Sequence, residues 1–492
     1  MTQPAPEVRP ILFNKADADW EYRTDVGNTK RFIERWHADD KFRALALEDS
    51  GAAAAKYGLK SDPEEIRVLW DPALKDTLDS TESQPLSVRR YLAFQNEKYR
   101  SRTRYREKGT PLDSRFAAWR SRMMNRCVSH LGGHKAEYVV HAPVCFELSK
   151  GCSVGCWFCS VAAPRLSDQF LYTPENQSLW RETLEVFKET VGPPAQMGFC
   201  YWASDPLDNP DYEQYLCDFH EVLGEFPQTT TAQAQKHVDR VRELLKLAES
   251  KDGMLERFSV LTLKQWNLIH DAFDPAELTY VECIPQNKEA FHPTKSISGR
   301  ALQRHRKRVA KNQEEMIPDD QTFTTACVSG FLVNMVERTV RLITPCHAND
   351  RWPLGYWVVD QGTFSDGASL RRLLDRIFEE NMPLTVPREK VMRLTQDLKF
   401  TPLDDGFEVN TRYWSQVVRR DAATRELGVL LNKGERSAEE LALELMDRQG
   451  VPLEETFLQL NGLLERGIID EEPAGAQSAQ GDWVPVPEEP QY

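Results

Sequence analysis

From about Glu137 onward, strand-like and helix-like segments alternate, and this alternation restricts the fold more than any other feature of the 492-residue chain. YVVHAPVCFEL is followed by a helix pattern around SLWRETLEVFKETV, MGFCYWAS by DYEQYLCDFHEVLGEF, TTTAQA by VDRVRELLKLAE, and RFSVLT by KQWNLIHDAF, before LTYVECIP closes the series. Strands separated by helices need crossover connections, which make the strands parallel and lay the helices on the sheet faces. Five such strands predict an α/β domain over 137–330, either a barrel or a doubly wound sheet, and a partial barrel is the expected form.

The flanking segments read differently. Residues 1–30 are expected to form a flexible N-terminus and 471–492 a disordered tail, since Pro, Gln, Glu and Ala cannot bury enough apolar surface there. Residues 31–75 predict a small helical module in which Gly58 stops a helix and EIRVLW reads as a strand. An Arg-rich helical linker follows over 76–136. After the Lys/Arg-rich pattern RALQRHRKRVAKNQ, a hairpin is predicted from CVSGFLVNM, turning at Val336 to Arg338, into TVRLITPC, and YWVVDQG comes next. This stretch, 331–423, is expected to cap the barrel. Residues 424–470 hold three helix patterns, with a capping box at Ser437 and Glu440, and outline a winged-helix-like module.

No run of 18 or more apolar residues occurs, and MTQPAPEVRP has neither the basic start nor the apolar core of a signal peptide. A cytoplasmic protein without a membrane partner is expected. The formal net charge of -14 disfavours broad binding to nucleic acid and points to a peptide or small-molecule partner.

Ten cysteines without an export signal suggest metal or redox chemistry rather than a disulfide framework. Three are clustered: GCSVGCWFC places Cys152, Cys156 and Cys159 in a CxxxCxxC spacing directly after a predicted strand. One loop with such short spacers can wrap three corners of a 4Fe-4S cubane and leave the fourth iron open to a small chelating molecule. A zinc site would need a second cysteine or histidine pair at matching spacing, and the sequence has none.

CxxxCxxC resembles the signature of the radical S-adenosylmethionine (SAM) superfamily, whose open iron chelates the amino and carboxylate groups of SAM before reductive cleavage to a 5'-deoxyadenosyl radical. The resemblance implies a partial (β/α)6 barrel of the TIM type. It implies that Phe158 lies near the adenine and that the turn Ala203-Ser204-Asp205-Pro206 binds the methionyl amine. Asp205 stands where the family commonly has Glu, and Ser204 where it has Gly. Thr230, Arg257 and Ser259 would approach the ribose and carboxylate.

CFELSKGCSVGCWFCSVAAPRL together with CYWASDPLDNPDYEQY closely resembles, over about Tyr138 to Gly367, the proteusin-type radical SAM epimerases that mature ribosomally made peptides. Those enzymes remove the Cα hydrogen of chosen L-residues and return hydrogen from the opposite face. The return needs a donor with a weak bond to hydrogen, such as a thiol. Cys346, ending a hairpin strand before a loop, is expected to be presented for this role, with Cys327 second; Cys145, Cys200 and Cys283 lie in predicted strands and read as structural. The five widely spaced cysteines after Cys159 are too few for auxiliary clusters, which favours inversion over thioether formation.

Residues 424–470 resemble the winged-helix leader-recognition domains of peptide-maturation enzymes, which take up a leader by strand addition. The helices around LALEDSGAAAAKYGL resemble nitrile-hydratase-like leaders, so this module is expected to mimic or pair with one. Arg304, Arg306 and Arg308 are expected to steer an acidic leader. Flavodoxin or ferredoxin would supply electrons. The expected function is peptide epimerisation, with another radical SAM peptide modification, carbon-carbon or thioether crosslinking, or a non-catalytic winged-helix adaptor as alternatives.

Overall fold

The computed structural model describes residues 8–15, 18–77, 81–137, 139–291, 296–322 and 324–473. Helices α1 (Trp20–Ala38), α2 (Asp40–Glu48), α3 (Ser50–Lys56), α4 (Leu86–Lys108) and α5 (Ser114–Leu131) precede β1 (Ala142–Glu147). Then come α6 (Pro174–Thr190), α7 (Tyr212–Leu223), β2 (Thr230–Thr231), α8 (Val238–Ser250), β3 (Glu256–Val260), α9 (Leu263–Ala272), β4 (Val281–Pro285) and α10 (Gly299–Ala310). Strands β5 (Val328–Asn334), β6 (Thr339–Pro345) and β7 (Tyr356–Thr363) lead to α11 (Gly367–Asn381). The chain ends in β8 (Lys399–Leu403), β9 (Gly406–Asn410), β10 (Ser415–Arg419), α12 (Ala422–Lys433), α13 (Ala438–Gln449) and α14 (Leu453–Glu465). The fold is mixed α/β.

The chain divides into two units. The first comprises Met1–Arg104, Phe199–Tyr201 and Asp205–Lys295, and the second Tyr105–Gly198, Trp202–Ser204 and Ser296–Tyr492. The strands expected to make one partial barrel are shared between two sheets, and no closed barrel occurs among the described residues. MGFCYWAS supplies none of the named strands. Pro193 and Pro194 open a 3-10 turn that runs to Met197, and Pro lacks the N–H a ladder needs.

In the first unit, β2, β3 and β4 pair in parallel, with Thr230 opposite Arg257 and Arg257 opposite Glu282. Side chains alternate across a strand, so Phe258, Val260 and Cys283 are buried on one face while Arg257, Ser259 and Glu282 lie on a half-open one. Helices α1, α2 and α3 fall within this unit rather than forming a unit of their own. Arg23 of α1 donates from Nε to the Ala276 carbonyl (2.9 Å), the Thr279 hydroxyl donates to the Arg23 carbonyl (2.9 Å), and Asn287 Nδ2 donates to the Ala38 carbonyl (2.8 Å). The expected flexibility of 1–30 is corrected for residues 18–30, which begin α1, and for 8–15, where Ile11 and Leu12 are buried and donate backbone N–H groups to Glu97 at 2.9 and 3.0 Å. Residues 1–7 lie outside the described residues. EIRVLW is helical at Arg67–Trp70 rather than extended, because Trp70 packs against Phe32 and Trp36 at 5.6 and 5.1 Å between ring centroids. A lone strand there would leave its backbone without ladder partners.

In the second unit the sheet order is β1-β5-β6-β7. The predicted hairpin is present, β5 meeting β6 with Asn334 opposite Thr339. It is no cap beside the sheet, however: β5 pairs in parallel with β1, Glu147 opposite Asn334. The reason is composition. VSGFLVN is buried at every position, as a central strand requires. One face of the sheet carries Phe146 and Phe331, covered by Phe116 of α5, Trp180 and Phe187 of α6, and Phe378 of α11. Glu147, Arg341 and Tyr356 emerge on the other by the same alternation.

The C-terminal part has a core of its own. Phe407 and Val409 of the antiparallel sheet β8-β9-β10 join Leu427, Leu441 and Leu460 of the three last helices in one apolar cluster running from Val386 to Ile469. The expected boundary at 424 falls inside this core, because the sheet buries its apolar face only against those helices. The tail is anchored at its start: Arg122 pairs with Glu471 at 2.8 Å, and Trp352 Nε1 donates to Glu472 at 2.5 Å. Residues 474–492, the rest of the expected disordered tail, lie outside the described residues. Among the described residues no helix is long and apolar enough to cross a membrane.

Candidate functional site

The cysteine loop leaves the carboxyl end of β1 in the second unit. Gly151 opens it with φ +86°, where a Cβ would stand 2.3 Å from the Arg165 carbonyl oxygen, so only glycine lets the returning strand come this close. Cys152 N–H donates to the Pro164 carbonyl (2.9 Å), Cys159 N–H to the Cys156 carbonyl (3.2 Å), and Ala162 N–H to the Cys159 carbonyl (3.1 Å). The Ala163 N–H points at Cys159 Sγ (3.4 Å). All three cysteines are half-buried thiols.

A second element braces the loop. Gly299 begins α10 with φ +54°, and a Cβ there would lie 2.3 Å from the Ser160 carbonyl oxygen. Arg300 N–H donates to the Cys159 carbonyl (3.0 Å), and its buried guanidinium donates from Nη1 to the Cys156 carbonyl (3.1 Å) and from Nη2 to the Ala163 carbonyl. Arg304 stacks over Trp157 at 4.4 Å. The helix expected to steer a leader thus has two of its arginines on the cysteine loop. Arg306 pairs with Asp350 (2.8 Å) and Arg308 with Glu314 (2.9 Å).

Among the described residues no three His, Cys, Asp or Glu side chains are gathered closely enough to hold a metal ion. The donor set nevertheless fits an iron–sulfur cluster. Three soft thiols share one loop, and a backbone N–H meets one of the sulfurs, the kind of contact that tunes cluster thiolates. Phe158, between the second and third cysteines, meets Trp157 edge to face at 5.2 Å.

Of the turn expected to bind the methionyl amine, Ser204 is half-buried in the second unit and Asp205 belongs to the first. The turn is held from β1: buried Glu147 accepts the Ala203 N–H at 2.8 Å and an Asn334 amide N–H at 3.3 Å, and its burial pushes its carboxyl above the usual range. Glu147 was not foreseen, although a lone acid in the apolar run PVCFEL was a visible signal. Asp205 is spent otherwise than expected. Its carboxylate accepts the Thr231 hydroxyl (2.8 Å), Ala232 N–H (2.8 Å) and Leu207 N–H (3.1 Å), a buried strap between the turn and β2. Burial raises its pKa despite these bonds.

Thr230, Arg257 and Ser259 are brought together on the half-open face of the first unit's sheet. The Thr230 hydroxyl donates to Tyr201 Oη at 2.8 Å. Arg257 faces Glu282 at 3.5 Å, and Lys98 reaches the same carboxylate at 2.7 Å. Glu282 is consequently held down to about 2, the cations outweighing its burial.

The two candidate hydrogen donors flank the hairpin strands that follow α10. Cys346 is 6% exposed, buried rather than presented. It directly follows β6, and its N–H donates to the Gly355 carbonyl (3.0 Å). Arg126 of α5 donates to the neighbouring Thr344 hydroxyl (3.2 Å) and Pro345 carbonyl (2.6 Å) and stacks on Trp357 at 3.5 Å. Burial drives the pKa of the Cys346 thiol upward, opposed by the Arg126 guanidinium. Cys327, just before β5, is half-buried, and its carbonyl accepts the Ala142 N–H at 2.9 Å. Cys145, Cys200 and Cys283 are buried.

No protein-family model matches the chain. A crystal structure of BtrN in complex with AdoMet and 2-DOIA overlays 41% of this chain and 72% of that one at 12% identity, with a TM-score of 0.27, too low to bear on fold or chemistry. A relative from Sinorhizobium fredii (strain NBRC 101917 / NGR234), the uncharacterized protein y4wI, is 36% identical over 469 residues, spanning 94% of this chain and 90% of its own length. An identity of that extent over nearly the whole of both chains places this protein in one family with y4wI of Sinorhizobium fredii.

Proposed function

We propose that this chain is a radical SAM enzyme that inverts residues of a ribosomally made precursor peptide. The observation that carries the reading is the braced CxxxCxxC loop, three half-buried thiols with an amide N–H directed at Cys159 Sγ. Cys152, Cys156 and Cys159 would hold a 4Fe-4S cluster, which when bound supplies the electron that cleaves SAM to a 5'-deoxyadenosyl radical. Phe158 and Ser204, in the same unit as the cysteine loop, are the groups we assign to SAM. Asp205 orders the turn instead, since its lone pairs already receive three donors.

The hydrogen returned to the peptide comes from a thiol in this reading, and burial beside Arg126 favours Cys327 over Cys346. The precursor's leader is taken up by the C-terminal module, where β10 is an edge strand with Val417 exposed. Flavodoxin or ferredoxin provides the electron.

Anaerobic reconstitution tests the first half of the proposal: the chain should take up iron and sulfide and cleave SAM. Incubation with the precursor in deuterated water tests the second. Inversion adds one deuteron per residue, whereas crosslinking removes two hydrogens. Mass loss without deuterium would replace epimerisation with crosslinking.

A further inference from the structure

We infer that Arg300 is a positioning residue that shapes the cysteine loop to receive its cluster; the inference rests on the reading of that loop as an iron–sulfur site. The first turn of α10 and the residues before it make several contacts with one stretch, 156–163. Arg300 alone engages three carbonyls there: those of Cys156 and Ala163 through the guanidinium, and that of Cys159 through its N–H. Ser298 Oγ donates to the Ser160 carbonyl at 3.2 Å, and the Ser160 and Ser296 hydroxyls are hydrogen bonded. Arg304 holds the Trp157 ring from the next turn of the helix.

Two features separate this from ordinary packing. The guanidinium spans the interval from the second cysteine to four residues past the third, so it sets the distance between two ligand-bearing segments. It also places a permanent positive charge behind a loop that must carry three thiolates. An arginine on an exposed, solvated helix face would do neither. Arg300 is 7% exposed.

The test uses the full chain, anaerobically reconstituted, as wild type, Arg300→Met, Arg300→Lys and Arg304→Ala. Iron and sulfide content, the rate of iron loss to a chelator, the electron paramagnetic resonance spectrum and the reduction potential are measured, with thermal unfolding of each protein before reconstitution. Because charge-assisted hydrogen bonds to two carbonyls are removed, R300M should lose iron at least about tenfold faster than wild type. Its potential should become more negative and its resonance shift, while its thermal transition stays close to that of wild type. R300K, keeping the charge and one bond, should fall between the two; R304A should lose iron about two- to threefold faster. Should R300M fail to fold, R300K and R304A decide the matter. Wild-type iron uptake with unchanged lability and spectrum in the folded variants would overturn the role of Arg300 alone. A wild-type chain that takes up no iron would overturn the cluster reading, and the inference with it.

Discussion

Glu256 opens β3, the strand that carries Arg257 and Ser259, and it is a buried acid whose removal should stabilise the protein at neutral pH. Burial, opposed by the Thr229 N–H at 2.6 Å and by Lys15, raises its pKa from 4.5 to about 7. A carboxyl with a raised folded-state pKa binds its proton more tightly in the native chain. Its contribution to stability is therefore full below about 4.5 and is lost as pH climbs through about 7. At roughly 1.4 kcal/mol per pH unit, the loss amounts to about 3 kcal/mol. Glu256→Gln keeps an oxygen to accept the Thr229 N–H and carries no charge. Lys15 is not stranded, since its ammonium also donates to the Gly253 and Met254 carbonyls. The strand's own amides report locally: Arg257 N–H is bonded to the Thr229 carbonyl at 2.9 Å. Hydrogen exchange of the peptide covering 254–262, compared between E256Q and wild type at each pH, should show little difference at pH about 5. At pH about 8 the variant should be more protected by about 2 to 3 kcal/mol. Equal protection at both pH values, or weaker protection of E256Q at the higher one, would refute the account of Glu256 as a destabilising buried charge.

Substituting the two candidate donors should separate them. Cys346→Ala is expected to keep peptide inversion while costing about 1 to 2 kcal/mol of stability from the buried site, whereas Cys327→Ala should form 5'-deoxyadenosine without inversion; product analysis after acid hydrolysis decides, and the reverse pattern would return the role to Cys346. Gly151→Ala places a methyl group 2.3 Å from the Arg165 carbonyl oxygen at a φ of +86°, so iron uptake on reconstitution should fall at least about tenfold; normal iron content would show that the loop can shift to make room.

Apart from MGFCYWAS, the order of strands and helices from Glu137 was legible in the chain, as were the three C-terminal helices and the CxxxCxxC spacing, because each rests on periodicity or spacing within some ten residues. What failed depended on partners far away in sequence. YVVHAPVCFEL and CVSGFLVNM read correctly as strands, yet nothing in either shows that they pair in parallel as β1 and β5, more than 180 residues apart. MGFCYWAS has strand composition but gives its start to a proline-led turn. Cys346 looked presented because a loop follows it; it is buried, and Arg126 of α5, more than 200 residues earlier, donates to the carbonyl of the preceding Pro345.

Local spacing alone already settles the chemistry on offer: three thiols on one loop that follows a strand. Only the tertiary structure decided how those thiols are held. Arg300 sits in a run of basic residues that resembles any solvated helix face, and its meaning comes from burial against carbonyls some 140 residues away. Local spacing records which atoms can bind, since it follows from the covalent chain. Burial and long-range hydrogen bonding decide which side chains are held to the task, and these arise only once the chain is folded.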